Sequence, residues 1–143
     1  CYVDYAHTPE ALKHSLKEIR EFYEGEIWCV FGCGGDRDKG KRSIMGKIAE
    51  DFSDHVIITD DNPRNEAPQK IIDDILEGTT KSENIKTISD RREAIKFTLK
   101  EMAKRKSMNI MLLAGKGHEN YQIIGSKRTK FDDRETVLSL TKS

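Results

Sequence analysis

Three short apolar runs, Ile27–Phe31, His55–Thr59 and Asn109–Leu113, are separated by longer stretches whose apolar residues recur at helical spacing. This alternation constrains the fold more than any other feature. A run of about five apolar residues bounded by turn signals reads as a strand buried on both faces, and such strands belong to sheets covered by helices. Strand and helix in strict alternation imply parallel strands joined by helical crossovers.

The stretches between the runs carry helix signals of their own. Thr8 suits an N-cap and Pro9 the first helical position, with Leu12, Leu16, Ile19 and Phe22 or Tyr23 on one face and Gly25 closing the helix. A second helix holds Ile44, Met45, Ile48, Ala49 and Phe52, and a third holds Ile71, Ile72, Ile75 and Leu76 and ends at Gly78. Asn84–Ile88 is a weaker strand. Ser89 is the expected cap of a fourth helix carrying Ile95, Leu99 and Met102. Near the end, Tyr121–Ile124 and Lys127–Phe131 flank Gly125-Ser126, the signature of a two-residue hairpin turn. Asp132 with Glu135 resembles a capping box for a last helix. Residues 1–143 therefore read as one three-layer, Rossmann-like α/β domain, with a mostly parallel sheet and an antiparallel hairpin at its late edge. Cys1–Tyr5 already has strand character and no Met precedes it, so a fragment of a longer chain is expected.

Composition removes several functional classes. Lys plus Arg and Asp plus Glu number 25 each, so no overall field draws the chain to nucleic acid or an anionic membrane. No apolar stretch reaches the length of a membrane span, and no signal peptide opens the chain. Cys29 and Cys33 are one residue too far apart for a CxxC pair, and with Cys1 they read as reduced thiols of a cytoplasmic protein, with no metal site expected.

Ligands of such a sheet bind at the carboxyl ends of its strands. Four polar segments each follow a strand, DYAHTP, GCGGDRDKGKR, DDNPR and AGKGHE, so all four are expected at one edge. The glycine loop fails both nucleotide motifs. Arg37 stands where a dinucleotide fingerprint needs its third glycine, and Arg42 replaces the Ser or Thr of a P-loop. It still presents Arg37, Lys39, Lys41 and Arg42 beside a helix start, suited to a carboxylate or phosphate, although a solvated charged loop reads equally well. Asn62-Pro63 sets a turn that holds Arg64 at the sheet edge for bidentate capture of a carboxylate, while an ordinary Asx-Pro turn is the simpler reading. In AGKGHE the glycines allow close backbone approach, and Glu119 could receive an ammonium group. Lys116 and His118 accompany it, His118 as a ligand, a base or a structural histidine. Asp4 and His7 either meet a nucleotide or merely end a strand and precede a helix. His14 reads as an exposed helix residue, and His55 as a strand residue with no evident partner.

Together these segments, from DYAHTPEAL through FGCGGDRDKGKR and TDDNPR to LLAGKGHENYQ and FDDRE, resemble the Mur ligase family of ATP-dependent peptidoglycan ligases. The resemblance spans essentially the whole chain and is nearest to members that add meso-diaminopimelate to UDP-MurNAc-L-Ala-D-Glu. It implies the third, C-terminal domain of a three-domain cytoplasmic bacterial enzyme. It also implies a reaction in which ATP phosphorylates a carboxylate and the incoming amine attacks the acyl phosphate. ATP and Mg2+ would be held mainly by the central domain, with no catalytic residue in this one, so the isolated domain is expected to be inactive. The resemblance assigns Arg37, Asn62, Arg64, Gly115 and Glu119 to diaminopimelate, and Asp4 and His7 to the nucleotide. Ser43 departs from the proline common after GKR. Two alternatives remain: a ligase domain for L-lysine or another amine, against which Arg64 argues, and a stand-alone nucleotide- or amino-acid-binding module.

Overall fold

The computed structural model describes the chain except for residues 36–38, 107, 117, 118, 120, 125, 142 and 143. The three apolar runs form β2 (Glu26–Phe31), β3 (His55–Ile58) and β5 (Asn109–Ala114), with β1 (Tyr2–Asp4) and β4 (Ile85–Thr87) on the flanks. All five strands are parallel, in the order β1-β5-β2-β3-β4. The central β2 places Ile27, Cys29 and Phe31 on one face and Trp28 and Val30 on the other, and all five are buried. Burial on both faces explains why the run is continuously apolar rather than alternating.

The first face is covered by α1 (Pro9–Phe22), α2 (Gly40–Phe52) and α3 (Pro68–Leu76), which contribute Leu12, Leu16, Ile19, Met45, Ala49, Ile71, Ile72 and Ile75 to its core. The second is covered by α4 (Arg91–Ala103) and α5 (Asp133–Thr141). The α1 start is as expected: Thr8 Oγ1 accepts from Ala11 N at 3.2 Å and Pro9 occupies the first turn. On α2 the buried stripe is Arg42, Met45, Gly46 and Ala49, which leaves Ile44 half exposed.

Two boundaries differ from expectation. The helix α1 ends at Tyr23, whose N–H donates to Ile19 O, rather than at Gly25. The cap of α4 is Asp90, whose carboxylate accepts from Glu93 N at 3.0 Å. Ser89 is drawn the other way, donating to Asp60 Oδ2 at 2.9 Å while its carbonyl accepts from Asp60 N and Thr59 Oγ1. At α5, Asp132 Oδ1 accepts from both Arg134 N and Glu135 N, the expected cap. His55 does have partners: it stacks on Trp28 with ring centres 3.8 Å apart and lies 3.4 Å from Glu26.

The hairpin β6 (Tyr121–Ile124) and β7 (Lys127–Lys130) pairs antiparallel as expected and forms a two-stranded sheet of its own. Arg64 N donates to Ile123 O at 3.0 Å, and Gln122 Nε2 to Asp61 O at 2.8 Å, so the hairpin leans on the DDNPR turn at the carboxyl edge.

Candidate functional site

The polar segments meet over the carboxyl ends of the strands, around a cleft of about 280 Å³. Tyr5 and His7 line it from the end of β1, and Gly32, Cys33, Gly34, Lys41 and Met45 from the glycine loop and the start of α2. Asp61, Asn62 and Arg64 come from the turn after β3, and Gly115, Glu119 and Tyr121 from the segment after β5. Of the expected site residues, the fold thus brings Asn62, Arg64, Gly115, Glu119 and His7 to one space. Asp4 stands apart, with its carboxylate accepting from Tyr5 N at 2.7 Å and from Ser15 Oγ at 2.5 Å, beside a separate groove. Arg37 and His118 lie outside the described residues.

The glycines of the second loop serve close packing. A Cβ at Gly35 would come within 1.7 Å of Pro63 O, and one at Gly32 within 2.1 Å of Thr59 O. Gly35 N donates to Asn62 O at 2.7 Å, which laces this end of the glycine loop to the DDNPR turn. Arg42 is a correction to the expected set of ligand-facing cations. It is 1% exposed, with Nη1 donating to Glu66 Oε1 and Asp74 Oδ2 and Nη2 to Glu66 Oε2 and Gly34 O. Burial alone would lower its pKa, but these two carboxylates more than offset that and raise it. Lys39 lies 3.4 Å from the same Glu66, whereas Lys41 faces the cleft. Gly32 and Gly35 pack against backbone and Arg42 is spent on Glu66 and Asp74, so none of the three is placed to cradle a phosphate. Among the described residues no group of three or more His, Cys, Asp or Glu side chains could hold a metal ion.

Arg64 adopts φ +54°, the left-handed region that a non-glycine residue enters only when its surroundings hold it there. The surroundings are visible: its N–H is taken by Ile123 O, and Nη1 donates to Gly35 O at 3.0 Å and to Asn62 O at 3.4 Å. Opposite, Glu119 Oε2 accepts from the Tyr121 hydroxyl at 3.2 Å. The nearby Glu119 charge is the main cause that raises the Tyr121 pKa, which keeps that hydroxyl a donor. Gly115 sits at φ +113° with its N–H given to Asp4 O, so it contributes backbone approach more than a hydrogen bond. Cys33, at the cleft wall, has its thiol pushed up to about 12 by burial and is no nucleophile at neutral pH.

Sequence reasoning missed Asp61, Tyr5, Tyr121 and Met45 as cleft residues. Asp61 was within the DDNPR segment, but two adjacent aspartates give no sign of which turns inward. Tyr5 likewise lay within DYAHTP, whereas Tyr121 and Met45 arrive by packing.

The glutamate ligase domain model of the Mur ligases matches residues 1–117, most of the chain. The chain belongs to the Mur ligase family. Over 140 residues this Mur ligase sequence is 48% identical to the UDP-N-acetylmuramoyl-L-alanyl-D-glutamate–2,6-diaminopimelate ligase of Haemophilus influenzae, a match covering 98% of the chain and 28% of that relative. A solved structure of an enzyme of the same name superposes with a TM-score of 0.89 at 47% identity, over 98% of the chain and 28% of its own. A Mycobacterium tuberculosis folylpolyglutamate synthase, solved with ADP and AMPPCP, superposes at 0.59 and 20% identity over 79% of the chain and 26% of its own, a likeness of fold. The chain spans little more than a quarter of the length of the ligases it matches. No helix among the described residues is long and apolar enough to cross a membrane.

Proposed function

We propose that the chain is the C-terminal, amino-acid-binding domain of a three-domain, cytoplasmic ATP-dependent ligase that joins meso-diaminopimelate to UDP-MurNAc-L-Ala-D-Glu. One observation carries the reading. Arg64 and Glu119, opposite charges from two separate strand ends, line one cleft in a chain 48% identical to a diaminopimelate ligase. A zwitterionic amino acid needs both, a donor fork for carboxylate and a carboxylate for ammonium.

In this reading Arg64 and Asn62 hold carboxylate, Glu119 holds ammonium with its own orientation set by Tyr121, and Gly115 lets the ligand lie close to backbone. Arg37 joins them on the strength of the family resemblance. His7, at the rim, and Asp4 would meet the nucleotide when the domain closes over it; Asp4 would do so with the lone pairs left by Ser15 and Tyr5 N. ATP and Mg2+ would be bound mainly by the rest of the longer enzyme, where ATP supplies the acyl phosphate. The work of this chain is to orient the amine, since holding two reactants in line replaces a costly bimolecular encounter.

Diaminopimelate exceeds L-lysine by one carboxylate, so Arg64 is the natural discriminator. Titration calorimetry with both ligands, on the chain with Arg64 intact and as Arg64→Ala, and steady-state ligation with the full-length enzyme, test this. Selective binding of diaminopimelate is expected, weakened by about 1.5–3 kcal/mol, tenfold or more, in the variant. Equal use of lysine and diaminopimelate by the intact enzyme would overturn it.

A further inference from the structure

Two of the loops that line the cleft are joined by a cation buried from solvent. Lys116, the residue after Gly115, is 0% exposed. An ammonium out of water is costly unless it is paired and hydrogen-bonded. Its Nζ lies 3.0 Å from Asp61 Oδ1, and it donates to Asn62 Oδ1 at 3.1 Å and to Tyr121 O at 3.0 Å. One side chain from the end of β5 thereby ties the turn after β3 to the base of the hairpin.

The bond to Asn62 has a chemical consequence. Asn62 Oδ1 accepts a second hydrogen bond, from Ile123 N at 2.9 Å. An ammonium and a backbone N–H are both donors only, so the atom they share has to be the carboxamide oxygen and not its nitrogen. The two ends of an amide are otherwise easily exchanged, and their exchange would invert what Asn62 presents to the cleft that it lines. With the oxygen turned inward, the face left for a ligand is Nδ2–H2, a pure donor. A donor beside the Arg64 fork suits a carboxylate; an acceptor there would repel one.

We propose that Lys116 is a positioning residue of the amino-acid cleft: its buried ammonium locks the Asn62 carboxamide oxygen-inward, so that Asn62 meets a ligand carboxylate as a hydrogen-bond donor. The inference deepens the functional reading above and rests on it. Lys116 acts through Asn62 and touches no ligand itself, which separates it from a base or nucleophile.

The test uses the full-length ligase, with meso-diaminopimelate varied and ATP and UDP-MurNAc-L-Ala-D-Glu saturating. The double variant Lys116→Met/Asp61→Asn removes the buried ion pair without stranding a charge, and Asn62→Ala removes the amide. Each is expected to raise KM for diaminopimelate about tenfold, the effect of losing a hydrogen bond to a charged group. The change in kcat and in KM for ATP should stay within about threefold. Combining all three substitutions should add little beyond either alone, within about threefold, because both act through one contact. Asn62→Asp keeps the buried cation and sets an acceptor where the NH2 stood, so it should raise KM at least as far as Asn62→Ala.

Multiplying effects in the combined variant, beyond those of Asp61→Asn alone, would overturn the proposal, since Lys116 would then act independently of Asn62. So would an Asn62→Asp enzyme with unchanged KM, a result that stands even if Lys116→Met/Asp61→Asn does not fold. A wild-type enzyme that rejects diaminopimelate would instead sink the functional reading, and the same variants would then be read on the amino acid that it accepts.

Discussion

At the scale of single residues, the cysteines show how burial sets chemistry. Cys29 lies within β2 with no exposure, and its thiol, like that of Cys33, is pushed up to about 12 by loss of solvation. At pH 8 about one thiol in ten thousand would be ionised, so an alkylating reagent should label exposed Cys1 and spare both others until the chain unfolds. Mass spectrometry of the labelled peptides checks this. The same shift bears on stability. From the ordinary thiol value of 9.0 up to about 12, the folded chain keeps protons that the unfolded chain releases. Stability therefore falls as pH rises through that window. Cys29→Ala should lower the melting temperature at pH 7 by leaving a small void, yet flatten its decline between pH 9 and 11.

Among the elements, Arg91 and Asp133 form the joint that holds the site edge to the helices behind it. Both are fully buried at the first turns of α4 and α5, and the guanidinium forks onto the carboxylate, Nε to Oδ1 at 2.8 Å and Nη2 to Oδ2 at 2.7 Å. Two further N–H groups reach Asp60 O and Ala114 O, each at 3.2 Å, one residue before Asp61 and Gly115 of the cleft. Carboxylate partnership outweighs the burial that would lower the Arg91 pKa and leaves it raised. Arg91→Met should cost about 3–5 kcal/mol in urea denaturation, since it strands Asp133 without a counter-charge. Arg91→Met/Asp133→Leu should recover most of that loss, because an apolar pair of similar volume avoids the desolvation of both ions. A double variant no better than the single would show that the ties to Asp60 O and Ala114 O carry the effect instead. The FDDRE segment contains Asp133, but sequence gave it only as the neighbour of a cap.

Across the whole molecule, stability is divided between a sheet buried on both faces and a hairpin held at its rim. Residues of β2 and β5 are almost wholly inaccessible, whereas β6 and β7 are half or fully exposed and tied to the DDNPR turn by a few bonds. Amide exchange should therefore proceed by local opening in the hairpin and by global unfolding in β2 and β5. Protection factors at Val30 and Leu112 are expected to exceed those at Ile123 and Thr129 by several orders of magnitude. A ligand seated between Arg64 and Glu119 should slow the hairpin amides, because Arg64 N and Ile123 O share a bond across the two segments.

The sequence by itself determined the parallel α/β sheet, because runs such as Ile27–Phe31 and Asn109–Leu113 have no other way to bury both faces. It also indicated that Asn62, Arg64, Gly115 and Glu119 would share one edge, since each follows a strand and parallel strands end on the same side. Local capping was mostly legible, and Ser89 was misread because its hydroxyl and carbonyl are claimed by Thr59 and Asp60, about thirty residues away. Tertiary structure alone decided which cations face the cleft: Arg42 and Lys116 look like loop charges in one dimension and are buried in three. Such pairings join residues distant in sequence, Arg42 to Glu66 and Asp74, Lys116 to Asp61 and Asn62. Periodicity reports which face a residue takes on its own element, whereas the partner of a buried charge is set by how separate elements pack.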